Sequence, residues 1–313
     1  PVQPTCTSCF QSRQTPYYTS RMTDSNSPDS HPLQATADID LLRPPEYHSD
    51  PAVVARGRRG VPRWMPGATV YFYTVVARAM NDAASRARSA DGLSDTFFVK
   101  RSNDLLRAAE RCGTDVHVTG LDRVQEQCSH GPVVFVGNHM STLETFTLPG
   151  VLLPFTPLTF VLKQELMSFP LLGTILQTLE PVTVSRDDPR GDLKKVLSEG
   201  TERVHGGRSV TVFPQTTRRT DFDPSSFNTL GVKLAARADV PAIPLALRTD
   251  FWSTGRFIKD FGPIRPNNSI HFAFGEPIPV DRRNSREAHR AVVDFLRENL
   301  SQWGVPIREV PAT

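Results

Sequence analysis

PVVFVGNHMSTLETF, residues 132–146, holds more structural information than any other part of this chain. Its first half, PVVFVG at 132–137, is a short apolar run that reads as a strand. A helix is expected to follow over 141–150. His139 therefore stands where a strand gives way to the next element, and Glu144 comes five positions later. A carboxylate placed there can accept the Nδ1–H bond, fix the tautomer and support the imidazolium. Nε2 is then left to take a proton from a hydroxyl. The pair amounts to two members of a hydrolase triad, with the nucleophile to be supplied by a substrate. Asn138, Ser141 and Thr142 frame it and are candidate substrate-binding residues.

The same alternation continues on both sides. Strand-like runs lie at 115–120, 158–163, 181–186, 209–214, 242–247 and 269–275. Helical patterns lie between them at 164–178, 190–205 and 225–238, and a last one covers 284–302. Strands mixed with helices of this length predict an α/β fold, a layered mixed sheet flanked by helices. Two further helical patterns precede it at 68–88 and 94–112, the second with Ser94 as N-cap, and form an N-terminal helical appendage. Residues 1–60 are rich in Pro, Ser, Thr and Asp without a sustained period and are expected to be a disordered tail. The expected organisation is a tail at 1–60, a helical and membrane-interface segment at 61–112, and a catalytic domain at 113–305.

Composition narrows the partners. A net charge of +3 suits an anionic membrane surface or a phosphate-bearing ligand. The basic residues are not interleaved with aromatics in any nucleic-acid-binding module, so no nucleic-acid partner is expected. Cys6, Cys9, Cys112 and Cys128 form no disulfide framework in a chain this long, and the Cys6–Cys9 pair lacks the further ligands of a zinc site. No metal is expected. No apolar run reaches the ~18–20 residues of a bilayer-spanning helix, and the N-terminus has no signal-peptide pattern. A peripheral, membrane-associated protein on the cytoplasmic face is the expectation. Its best interfacial segment is 68–85, where Val70, Tyr71, Phe72, Val75, Val76, Ala79 and Met80 share most of one helical face, with Arg63, Trp64, Arg78, Arg86 and Arg88 nearby.

Four blocks of this chain resemble, in order, those of the glycerolipid acyltransferase superfamily, typified by lysophosphatidic acid acyltransferase. NHMSTLE at 138–144 resembles the family's NHxxxxD, with Glu144 in place of the acid. LKQELMSFPLLG at 162–173 resembles its second block, with Arg186 ending the strand that follows. FPQTTRR at 213–219 resembles FPEGTR, with Gln215 and Thr216 replacing a Glu-Gly pair, and VPAIPLALR at 240–248 resembles VPIVPV.

The resemblance implies O-acyl transfer from a thioester, acyl-CoA or an acyl carrier protein, to the hydroxyl of a lysophospholipid such as 1-acyl-glycerol-3-phosphate. His139 is then the base and Glu144 its orienting partner. Lys163, Arg186 and Arg218 are candidates for phosphate recognition, Arg218 foremost because a guanidinium grips phosphate bidentately. Phe213, Pro214, Gln215, Thr216 and Thr217 complete the candidate substrate-binding set. The implied partners are a lipid acceptor, an acyl donor and a membrane surface; the donor is a co-substrate, and no bound cofactor is implied. Two alternatives share the motif: the same chemistry on a non-phosphate lipid, and a catalytically silent lipid-binding relative. A hydrolase is a further competitor, since the same base could activate water.

Overall fold

Short apolar runs alternating with amphipathic stretches build one mixed sheet with helices on both faces. The structure, a computed structural model, describes residues 46–60, 67–88, 92–169, 172–215, 217–255 and 261–308. The expectations for residues 1–45, for Arg63 and Trp64, and for Thr216 lie outside the described residues. In chain order the elements are β1 (Tyr47–His48), α1 (Pro51–Gly60), α2 (Gly67–Ala87), α3 (Asp95–Arg111), β2 (Val116–Thr119), α4 (Leu121–His130), β3 (Val134–Gly137), α5 (Leu143–Leu152), β4 (Leu158–Lys163), α6 (Leu172–Gln177), β5 (Val182–Val184), α7 (Pro189–His205), β6 (Ser209–Val212), α8 (Leu230–Ala238), β7 (Ala242–Arg248), β8 (Ile270–Phe274) and α9 (Ser285–Gln302).

All seven expected strands form, and together with β1 they order as β1-β2-β8-β7-β3-β6-β4-β5. Strands β7, β3, β6, β4 and β5 are parallel, whereas β8 runs antiparallel to β7 and β1 antiparallel to β2. Along β3, Val134 and Val136 enter the core layer that also holds Val196, Leu234, Val292 and Leu296. Phe135 enters the opposite layer, with Phe72, Leu105, Leu148 and Phe272. Both faces of the strand are covered, which is why its sequence is continuously apolar rather than alternating.

Several boundaries differ from expectation. Residues 46–60, assigned by composition to the tail, carry β1 and α1. Their apolar content is low, but the Ser49 hydroxyl and the Tyr47 hydroxyl both donate to Glu110, which is buried on α3, so polar contacts hold the segment. Helix α4 was not expected. Its apolar stripe is only Leu121, Val124 and Cys128, and Gly120 before it offers no capping side chain. Gly120 is required there by its φ of 79° and because a Cβ would stand 2.2 Å from the Phe274 carbonyl oxygen. The helix expected at 164–178 is a 3₁₀ turn, Gln164–Ser168, followed by α6, and the helix expected from 225 begins at Leu230 after a second 3₁₀ turn, Pro224–Ser226. Ser94 caps α3 as expected, its Oγ accepting the Phe97 N–H at 3.2 Å.

The interfacial face expected on α2 is largely spent on packing. Phe72, Val76, Ala79 and Ala83 are buried against the domain, and Phe72 meets Phe251 and Trp252 edge to face. Val70 and Tyr71 remain exposed. Among the described residues no helix is long and apolar enough to cross a membrane.

Candidate active site

Parallel strands converge chemistry at their carboxyl ends. His139 lies two residues beyond β3; Phe213, Pro214 and Gln215 follow β6 on one side, and Thr249 follows β7 on the other. The chain turns sharply after His139, so the first turn of α5 brings Glu144 back beneath the imidazole.

Glu144 is fully buried and has donors on both oxygens. Oε2 meets His139 Nδ1. Oε1 accepts the Met140 N–H at 2.8 Å, the Ser141 N–H at 3.1 Å and the Thr249 hydroxyl. A carboxylate facing Nδ1 accepts the hydrogen of that nitrogen, which leaves the lone pair on Nε2. His139 Nε2 has no hydrogen-bond partner among the described residues, and its side chain is 19% exposed. The glutamate for aspartate exchange therefore keeps the pairing expected from sequence.

Neighbouring residues hold His139 in place. The His139 ring stacks on Phe213, with centroids 4.5 Å apart and planes 10° from parallel. Gln215 Oε1 accepts the His139 N–H at 2.6 Å, and the Arg219 N–H donates to the His139 carbonyl at 3.0 Å. Since a backbone N–H can only donate, the Gln215 amide is oriented unambiguously. The neutral residue at this position thus does a backbone-holding job that needs only an acceptor oxygen. Asn138 is also used internally. Its Nδ2 donates to the Leu247 carbonyl and its Oδ1 accepts the Leu247 N–H, both at 2.8 Å, so it extends the β3–β7 ladder past Gly137. Ser141 is buried and bonded to Thr249, and Pro214 is buried with its carbonyl accepting from Asn228. These positions, expected to touch substrate, are bonded within the protein.

The three basic candidates separate. Arg218 donates to the Thr142 hydroxyl and so flanks the cleft beside the His139 turn, next to exposed Thr217. Lys163 ends β4, two strands from β3 and hence about 10 Å away, and pairs with Glu165 at 2.6 Å. Arg186 follows edge strand β5, about 15 Å from β3, in a left-handed turn whose N–H donates to Asp192. No bond among the described residues joins either to His139. Cys112 and Cys128 are buried, and burial pushes both thiols up to about 12, far from nucleophilic use.

Sequence reading missed Thr249. It sits 105 positions from Glu144 in the chain, one residue past the fourth block, and no local pattern marks it.

A family model described as Acyltransferase matches residues 115–248, the span that holds β2 through β7. A 1-acyl-sn-glycerol-3-phosphate acyltransferase of Pseudomonas aeruginosa is 34% identical over 154 residues, 49% of this chain and 57% of that protein. The chain thus spans little more than half the length of that relative. A lyso-ornithine lipid O-acyltransferase of the same organism is 26% identical over 186 residues, 54% of this chain and 70% of that protein. The crystal structure of the 1-acyl-sn-glycerophosphate (LPA) acyltransferase PlsC from Thermotoga maritima superposes with a TM-score of 0.54 at 20% identity, covering 77% of this chain and 97% of that one, and shares the fold. The ordered motifs and the His139–Glu144 pair lie within the segment, residues 115–248, that is similar to the Acyltransferase family.

Proposed function

We propose that this protein is an O-acyltransferase that moves a fatty acyl group from acyl-CoA or an acyl carrier protein to the hydroxyl of a lysophospholipid such as 1-acyl-glycerol-3-phosphate. The observation that carries the reading is the His139–Glu144 pair, with Nδ1 committed to a buried carboxylate and Nε2 turned to the cleft. The acceptor hydroxyl gives its proton to Nε2 as its oxygen bonds to the thioester carbon. Collapse of the tetrahedral adduct breaks the C–S bond, and the imidazolium returns the proton to the departing thiolate. The hydroxyl is the nucleophile, so no enzyme serine or cysteine is called on.

Arg218 and Thr142 flank the base on the side where the acceptor's phosphate would lie. Lys163 and Arg186, farther along the same sheet edge, would meet a more distant anionic part of a substrate. The donor is a co-substrate and no bound cofactor takes part. Peripheral association with the cytoplasmic face of a membrane fits the exposed Val70 and Tyr71 at the start of α2, with Arg78, Arg86 and Arg88 along and after it.

A phosphate-free acceptor is the second reading, favoured by the similarity to the lyso-ornithine lipid enzyme. The test is incubation with labelled acyl-CoA or acyl carrier protein and a panel of lyso-acceptors. Acylated lysophosphatidic acid is the expected product. Acylation of a phosphate-free acceptor alone would move the reading to that lipid, free fatty acid alone would indicate hydrolysis, and no turnover with any pair would indicate a silent relative.

A further inference from the structure

The Glu144 carboxylate is held by a chain of hydrogen bonds that runs in one direction. The Leu143 N–H donates to Ser141 Oγ at 3.1 Å, Ser141 Oγ donates to Thr249 Oγ1 at 3.0 Å, and Thr249 Oγ1 donates to Glu144 Oε1. The carboxylate at the end of the chain can only accept, so the Thr249 proton goes to Glu144 and the Ser141 proton to Thr249, while Ser141 Oγ accepts the Leu143 N–H. Ser141 is 5% exposed, and Thr249 and Glu144 are 0% exposed, so water does not compete at any link. In such a dry setting each hydroxyl is polarised by the one before it.

We infer that Thr249, working through Ser141 and Glu144, is a positioning residue that fixes the base-competent tautomer of His139. The inference rests on the acyl-transfer reading above. Removing the Thr249 proton would leave one direction at Oε1 vacant. The carboxylate could then turn or hold a proton of its own, and Nδ1 would lose its fixed acceptor. The same geometry accounts for a glutamate here. The carboxylate must reach His139 on β3's end with one oxygen and Thr249 on β7's end with the other, and an aspartate is shorter by about 1.5 Å. Thr249 comes from a different strand, so the site is locked across the β3–β7 seam that Asn138 also bridges.

The decisive comparison is Thr249→Val against Thr249→Ser in the full chain. Valine keeps the shape and loses the hydroxyl; serine keeps the hydroxyl. Expected for Thr249→Val is a fall in kcat of about 10–100-fold with KM for both substrates nearly unchanged, and Thr249→Ser should restore most of it. In proton NMR, the far-downfield Nδ1–H signal of the His139–Glu144 bond should weaken or vanish in Thr249→Val and persist in Thr249→Ser. Glu144→Asp should retain part of the activity, and adding Thr249→Val to it should cost much less than in the parent, because the shorter carboxylate has already let go of one partner. Native kcat and an intact downfield signal in Thr249→Val would overturn the inference, as would a serine variant as impaired as the valine one. If the parent chain transfers no acyl group at all, the functional reading fails while the NMR comparison still decides the role of Thr249.

Discussion

Histidines at two regions of this one sheet meet opposite surroundings. At the carboxyl end of β3, His139 faces a buried carboxylate and little else that is charged within its own hydrogen bonds. At the other side of the sheet, His48 on β1, His117 on β2 and His271 on β8 stand in register beside Arg248 on β7. Neighbouring imidazoles lie 5.2 Å and 4.7 Å apart between centroids, and His271 stacks in turn on Trp303 at 4.7 Å. His48 and His117 share a single bond between their Nδ1 atoms at 2.9 Å. The nearby acids are Glu46, bonded to His48 at 3.1 Å, Asp115 before β2, and Asp250, which pairs with Arg248 at 3.4 Å. Burial, then the neighbouring His117, Arg248 and His48, drive His271 down to about 3, and burial with His48 lowers His117. The lesson is that the partner, not the residue type, sets the work. An imidazole against a buried carboxylate has its tautomer set by that acid, while His117 and His271, half-buried beside each other, are held towards the neutral form.

The comparison breaks most visibly if Glu144 is neutralised. Glu144→Gln removes the negative partner but keeps the size, and acyl transfer should fall on the order of 10²–10³-fold in steady-state assays. A small loss would make the two histidine environments equivalent in practice.

Much of this contrast was legible in the sequence, and the reason is distance along the chain. The strand, the turn and the acid that orients His139 lie within twelve residues, from Val133 to Glu144, so period and spacing suffice to read them. The seven apolar strands were legible for the same local reason. Thr249 and the backbone-holding roles of Gln215 and Asn138 were not, because each acts through a contact 76 to 109 positions away. The histidine row was equally hidden: its three members come from three strands, and β1 is a two-residue strand inside a polar segment that no period reveals. Both ends of the Asn138 amide are bonded to the Leu247 backbone, a use that no local pattern marks.

A second prediction sharpens the catalytic side. Arg218→Ala should raise the KM of a phosphate-bearing acceptor about 10–100-fold and leave the donor KM nearly unchanged, with Arg218→Lys recovering only part. An unchanged acceptor KM on every lipid tried would remove phosphate binding from Arg218.

A third concerns the neutral side chain beneath the base. Gln215→Glu retains an oxygen for the His139 N–H and adds one negative charge beside the cleft. Because the third block of lysophosphatidic acid acyltransferases carries Glu here, the acceptor KM for lysophosphatidic acid should stay within about 3-fold of the parent. A rise of more than about 10-fold on lysophosphatidic acid would mean that position 215 meets its acceptor differently from that family.

The smallest effect belongs to the histidine row. The folded values of His117 and His271 lie below their ordinary value of about 6.5, so the fold favours the neutral rings. Their stabilising contribution is complete above about pH 6.5 and is lost as the pH falls from there towards 3. His271→Phe keeps the stack on Trp303 and removes one titrating ring. Between pH 7 and pH 5, its melting temperature should fall about 2–4 °C less than that of the parent, measured by circular dichroism. Parallel curves for the two proteins would show that the row does not resist protonation.

The central claim is that His139 is the base for acyl transfer, and one assay tests it most directly. Wild type and His139→Ala are compared with labelled acyl thioester and lysophosphatidic acid, with circular dichroism confirming that both are folded. The account predicts an acylated product from wild type and a rate lower by on the order of 10²–10⁴-fold in His139→Ala. A folded His139→Ala variant that transfers acyl groups at near wild-type rate would contradict it.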